Sequence, residues 1–327
     1  MTELVQMNMI QALNNGLDMY MAREATAIIM GEDVGGFGGV FRVTEGLQQK
    51  YGAQRVFDTP LAEAGIVGTA IGMALGGLQP IVEIQFADFV FPAFDQIINE
   101  AAKYRYRSGG QYSLKMVIRM PYGGGIRGGH YHSQSPEAYF AHTPGLRVVI
   151  PSGPHEAKGL LLAALDCPDP VIFLEPKKVY RSMKAHVPKG YYTIPLEKAA
   201  VVREGRDATL VAYGAMMEIA RETVLLAEGE GYDVELIDLL SIWPYDLRTV
   251  LSSVEKTGRL VVIQEAPKTC GFAAELLAEV QQRTFTHLQA PLQRITGFDT
   301  PFPYALEDHY LPHKERVLDV LRRTLEF

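Results

Sequence analysis

Short apolar runs rich in Val and Ile alternate with longer stretches of helical periodicity, and this alternation limits the fold more than any other feature of the chain. In the first stretch, residues 27–31, 81–85, 116–120, 148–151 and 171–174 read as buried strands, with helices over 7–23, 62–78, 91–107 and 154–166. A strand without polar alternation is covered on both faces, and strands separated by helices run parallel, so an α/β parallel sheet is expected. Around 177–196 the pattern lapses into KKVYRSMKAHVPKGYYTIPL, basic, proline-punctuated and without period, which reads as a solvated crossover. A second alternation follows, with strands at 209–213, 234–238, 260–264 and 293–296 and helices at 215–228, 246–256, 272–283 and 314–325. The expected organisation is therefore two α/β domains, 1–180 and 201–327, joined by a linker over 181–200. A length of 327 residues, too great for one ordinary core, agrees with it.

Composition excludes several functions. With 38 acidic against 31 basic side chains, a formal charge of −7, the chain has no basic surplus to neutralise phosphates, so nucleic acid is not an expected partner. Two cysteines, Cys167 and Cys270, make no disulfide framework and fit a reducing compartment. The first residues lack a basic stretch followed by an apolar core, so no secretory signal is read. The longest apolar run, 64–78, is interrupted by five glycines, so no membrane span is expected, and the expected location is cytoplasmic.

Three segments carry candidate chemistry. In FDTPLAEAGIVG, residues 57–68, Thr59 and Pro60 read as a hydroxyl cap and first-turn proline of a helix that is apolar all round and therefore expected to be buried. Glu63 at its head has two readings: a first-turn acid complementing the helix dipole, or a desolvated carboxylate with a raised pKa. In EIQFADFVFPAF, residues 83–94, four phenylalanines follow a strand end, where ligands of such sheets sit; they read either as a slot for a flat ring or as core.

The third segment, YGGGIRGGHYHSQSPE at 122–137, formally contains G-x-G-x-x-G at Gly123, Gly125 and Gly128. A dinucleotide fingerprint leads into a helix and has an acid closing the next strand; here the glycines lead to His130, Tyr131 and His132, and no acid follows, so an NAD-dependent dehydrogenase is disfavoured. The glycines instead suggest backbone that approaches a ligand or partner closely. His130 and His132 lack a third metal ligand at a characteristic spacing, so no metal site is assigned and an acid/base or hydrogen-bonding histidine is preferred.

Taken in order with GEDVG at 31–35, GVF at 39–41, EAAKYRYRSGG at 100–110, LEPKKVYRS at 174–182 and GFDTPFPYALEDHYLP at 297–312, these segments resemble the beta subunit of the 2-oxo acid dehydrogenase decarboxylase component over essentially the whole chain. The resemblance implies a thiamine-pyrimidine-binding α/β domain followed by a transketolase C-terminal-like α/β domain. It implies thiamine diphosphate as cofactor, with Glu63 hydrogen-bonding N1′ of the aminopyrimidine and so supporting loss of the thiazolium C2 proton. Leu61, Gln85 and Phe89 would line the aminopyrimidine site, Phe89 lacking the hydroxyl of the tyrosine often found there. His132 matches the histidine that orients substrate and assists acyl transfer to a lipoyl group. YHSQSPEA at 131–138 resembles branched-chain enzymes more than pyruvate enzymes, leaving a pyruvate or acetoin dehydrogenase beta subunit as the near alternative. Thiamine enzymes hold the diphosphate through Mg2+ on a Gly-Asp-Gly segment, which this sequence lacks, so the resemblance implies an alpha subunit that supplies it and an α2β2 heterotetramer. It also implies docking of a lipoyl-bearing acyltransferase core after Ala274 and near Phe327. Some members hold a structural K+ between 114–117 and 164–169, where Cys167 here replaces an Asp.

Overall fold

The computed structural model describes residues 3–327. Along the chain the strands are β1 (Leu4–Met7), β2 (Ala27–Gly31), β3 (Val56–Asp58), β4 (Gln79–Glu83), β5 (Val117–Tyr122), β6 (Arg147–Val149), β7 (Val171–Pro176), β8 (Ala185–Pro188), β9 (Ala200–Arg203), β10 (Ala208–Ala212), β11 (Val234–Asp238), β12 (Ser241–Trp243), β13 (Leu260–Ile263) and β14 (Gln293–Ile295). Seven of them form one sheet in the order β12-β6-β7-β5-β4-β2-β3, and five form a second in the order β14-β13-β10-β11-β9. The central strands are parallel and buried on both faces, as in Ala27–Gly31 and Val117–Tyr122, which is why their sequences show apolar runs without alternation. Helices Met9–Arg23, Glu63–Leu75 and Pro154–Asp166 cover the first sheet; Met216–Gly229, Leu247–Thr257, Phe272–Thr284 and Lys314–Leu325 accompany the second. No helix among the described residues is long and apolar enough to cross a membrane.

Four expectations need correction. The crossover is not a structureless solvated segment: β8 pairs antiparallel with β1, and Lys158, itself buried, donates to the carbonyls of Pro188, Lys189 and Gly190 at 2.6, 3.2 and 2.9 Å. Lys177 in the same stretch is 3% exposed. The halves also exchange structure, since β12, from the second half, pairs antiparallel with β6 and forms the edge of the first sheet. The single helix expected over 91–107 is broken into a 3-10 turn at Phe91–Ala93, a π-helical turn at Gln96–Glu100, a 3-10 turn at Ala101–Lys103 and a short α-helix at Tyr104–Arg107. The ladder departs from α geometry where Ala102 meets the backbone of Gly145, so closely that a Cβ on that glycine would lie 1.9 Å from the Ala102 carbonyl oxygen. Finally, the apolar helix Glu63–Leu75 buries Ile66, Val67, Ala70 and Ile71 but exposes Gly65, Gly68, Thr69 and Gly72.

Candidate active site

The carboxyl ends of β3, β2 and β4 lie side by side, with Gly31 in register with Asp58 on one side and Glu83 on the other. Each chain segment leaving this edge contributes polar or aromatic side chains. After β3 the chain does not turn into a helix at Thr59: its amide donates to the Gly31 carbonyl at 2.9 Å, and Asp58 accepts the Gly35 amide at 2.6 Å, so the segment stays pinned to the end of β2. The Thr59 hydroxyl is buried without a partner rather than capping, and the helix begins at Glu63 with Ala62 before it. Glu63 thus stands at the first helical position, 9% exposed, where the unpaired amides favour an anion. Leu61 beside it is 80% exposed.

After β2, Glu32 lies buried beside Glu63, and its pKa is pushed up by burial and then by the charges of Glu63 and Asp33. Asp33 is held at φ 58°, a left-handed conformation costing a non-glycine residue about 1 kcal/mol, and accepts a hydrogen bond from Gln85 Nε2 at 2.8 Å. After β4, the four phenylalanines divide. Phe86 and Phe89 each meet the His132 ring in an edge-to-face arrangement, at centroid distances of 4.6 and 5.3 Å and near-perpendicular angles of 90° and 76°. Phe91 and Phe94 pack instead with Tyr139 and Phe140. Glu63, Gln85, Phe89 and His132 therefore gather along one edge, whereas exposed His130 lies against Tyr131. No cluster of three His, Cys, Asp or Glu side chains able to hold a metal occurs among the described residues.

The glycine-rich loop has an unexpected partner, the second domain. The amide of Gly124 donates to Glu265, while those of Gly125 and Arg127 donate to the two oxygens of Glu307 at 3.0 and 3.1 Å. A Cβ on Gly123, held at φ 78°, would lie 2.8 Å from Glu265 Oε1, which is why glycine is required there. Successive amides form an anion cradle of the kind that can bind phosphates, but here its anions are the protein's own carboxylates. This removes the dinucleotide reading on structural grounds. Sequence reasoning missed Asp88, Lys177, Glu265 and Glu307. An acid directly after the apolar strand LVVIQ was a usable signal for Glu265; nothing local marked Glu307, some 180 residues from the loop it holds.

The sequence matches the transketolase pyrimidine-binding domain over residues 5–183 and the transketolase C-terminal domain over 197–317. It is 57% identical to the mitochondrial 2-oxoisovalerate dehydrogenase subunit beta of Dictyostelium discoideum, covering 99% of this chain and 88% of that one. Identity to the 2-oxoisovalerate dehydrogenase subunit beta of Pseudomonas aeruginosa is 51%, covering 99% and 96%. The pyruvate dehydrogenase E1 component subunit beta of Acholeplasma laidlawii is 49% identical, covering 96% and 97%. A split-gene transketolase, described as an inactive beta4 tetramer, superposes with a TM-score of 0.80 over 98% of both chains at 21% identity, a likeness of fold.

Proposed function

The chain belongs to the beta-subunit family of 2-oxo acid dehydrogenase E1 components, and we propose that it is the beta half of a branched-chain enzyme that decarboxylates a 2-oxo acid with thiamine diphosphate and passes the acyl group to a lipoyl arm. The observation that carries this reading is Glu63, a nearly buried carboxylate at a helix N-terminus with no ion pair among the described residues. Such a group fits a partner that shares a proton, as the ring nitrogen of an aminopyrimidine does. When bound, the cofactor supplies the nucleophilic carbon and the electron sink for loss of carbon dioxide. Glu63 holds the proton at the pyrimidine nitrogen, in a slot from which its own helix and Glu32 exclude much of the water. Phe89 and the amide of Gln85 line that slot, and Leu61 awaits the partner surface. His132, walled by two phenyl rings, orients the 2-oxo acid and the incoming lipoyl group.

Half of the cofactor site lies elsewhere in this reading. An alpha subunit holds the diphosphate through Mg2+, and two copies of each chain make an α2β2 heterotetramer. The exposed small residues of helix Glu63–Leu75 and the projecting Leu61 support a closely packed partner. For a structural K+ the donor set is weakened at one position: where some members have a carboxylate stands the Cys167 thiol, whose pKa burial raises, so that position offers no anionic oxygen. For the acyltransferase core we assign the groove of about 910 Å³ on the second domain, lined among others by Ala274, Leu277, Phe285, Leu292 and Arg294. Its lining is mainly apolar, with Arg294, Gln281 and Gln289 as polar groups, and the C-terminal Phe327 reaches it.

The substrate is tested by carbon dioxide release from 3-methyl-2-oxobutanoate and from pyruvate, using the chain co-purified with its alpha partner, thiamine diphosphate and Mg2+. Faster turnover of the branched acid is expected; faster turnover of pyruvate would place the enzyme with the pyruvate-type relatives instead.

A further inference from the structure

We propose that Asp88 is the positioning residue for His132, clamping the backbone directly after it and fixing where the imidazole stands; this rests on the role given to His132 above. Asp88 lies in the 3-10 turn Ala87–Phe89 that leaves β4, and is 8% exposed. Its Oδ1 accepts two consecutive amides, Ser133 at 3.1 Å and Gln134 at 3.0 Å. These are the first donors after the 3-10 turn Gly129–Tyr131, which ends at His132.

One short segment, Phe86 to Phe89, therefore does two things. Its phenyl rings wall the imidazole, and its carboxylate holds the chain that carries it. Edge-to-face ring contacts leave an imidazole free to slide along its walls, whereas two charge-assisted hydrogen bonds to adjacent amides fix a backbone position. The other carboxylate oxygen, Oδ2, is buried without a hydrogen-bond partner, and so is the ammonium of Lys177, whose charge Asp88 favours. The clamp belongs to the first domain and acts behind His132, while Glu265 and Glu307 from the second domain hold the glycines ahead of it.

The test compares Asp88→Ala, His132→Ala and the double variant, each assembled with the alpha partner. Two quantities are read: decarboxylation of the 2-oxo acid, and the rate at which diethyl pyrocarbonate modifies His132 in the cofactor-free complex, followed by mass spectrometry. Asp88→Ala is expected to lower kcat by about tenfold to a hundredfold with a smaller change in KM. The double variant is expected to be no slower than His132→Ala, and His132 in Asp88→Ala to be modified faster. Asp88→Asn, whose carbonyl oxygen still accepts both amides, should recover part of the rate, and it carries the same comparison if the alanine variant fails to assemble. Losses that multiply in the double variant, or a modification rate equal to wild type, would overturn the proposal. If His132→Ala turns over like wild type, the catalytic reading of His132 falls, and the modification rate still decides the clamp.

Discussion

Arg119 and Lys177 are both cations buried at neighbouring strands, β5 and β7, yet only one of them is paired. Arg119 is fully buried between Glu175, at 2.7 and 3.0 Å, and Glu83, at 2.8 Å, and Tyr180 donates to Glu175 at 2.6 Å. Burial alone would lower the guanidinium pKa, but the two carboxylates outweigh it and the net direction is upward. Lys177 has no hydrogen-bond partner for its ammonium, and burial pushes its pKa down to about 8 against the opposing charges of Asp88, Glu265 and Glu307. Asp88 and Glu137 nearby each keep one buried oxygen unpartnered. A satisfied network stiffens the sheet; an unsatisfied one is costly and persists where function or a domain seam requires it. The first sits in the middle of the sheet, and the second lies behind the His132 loop where the two domains meet.

That contrast can be broken most forcefully at Arg119. Replacing it by Met strands two buried carboxylates, and a loss of about 3–5 kcal/mol in denaturant unfolding of the assembled enzyme is expected. A loss under about 1 kcal/mol would show that the paired cluster does not hold the sheet.

Next in size is Glu137, fully buried at the seam and hydrogen-bonded by Tyr213 at 2.9 Å, whose pKa burial raises from 4.5 to about 7. The unfolded chain releases this proton first, so the neutral group favours the folded state. Its contribution is complete below pH 4.5 and is lost as pH rises through about 7. The displacement corresponds to at most about 3 kcal/mol. Glu137→Gln should remove this part of the decline, so its stability gain over wild type grows between those two pH values. A pH-independent difference between the two proteins contradicts the account. Asp238, raised by burial to about 7 as well, declines equally in both proteins and cancels in the comparison.

The smallest effect is expected at Lys177. Because burial outweighs its acidic neighbours, Lys177→Met should change stability by no more than about 1 kcal/mol. A loss as large as that of Arg119→Met would mean the two cations are equivalent and the contrast false.

Much of the architecture was legible because buried parallel strands leave a local signature. The apolar runs at 27–31, 171–174 and 234–238 became strands within two residues of their expected ends. What was illegible is non-local. Ser241–Trp243 is a short strand whose partner lies in the other half, and no pattern within it names that sheet. Thr59-Pro60 has the chemistry of a helix start, but the pairing of its backbone with Gly31 overrides it. The glycines announced a close approach of backbone to something; only the folded chain shows that the something is Glu265 and Glu307. Of the candidate site, Glu63, Gln85, Phe89 and His132 were named by the family resemblance, and their local patterns alone left Glu63 and the phenylalanines open between two readings. Asp88 could not, because its partners are amides, which carry no sequence identity.

The central claim is that Glu63 shares the proton on which decarboxylation depends, and Glu63→Gln tests it most directly. The variant, assembled with the alpha partner, thiamine diphosphate and Mg2+, is assayed for carbon dioxide release from 3-methyl-2-oxobutanoate beside wild type. The account predicts loss of about a hundredfold or more in kcat with assembly intact. A Glu63→Gln enzyme as active as wild type would contradict it.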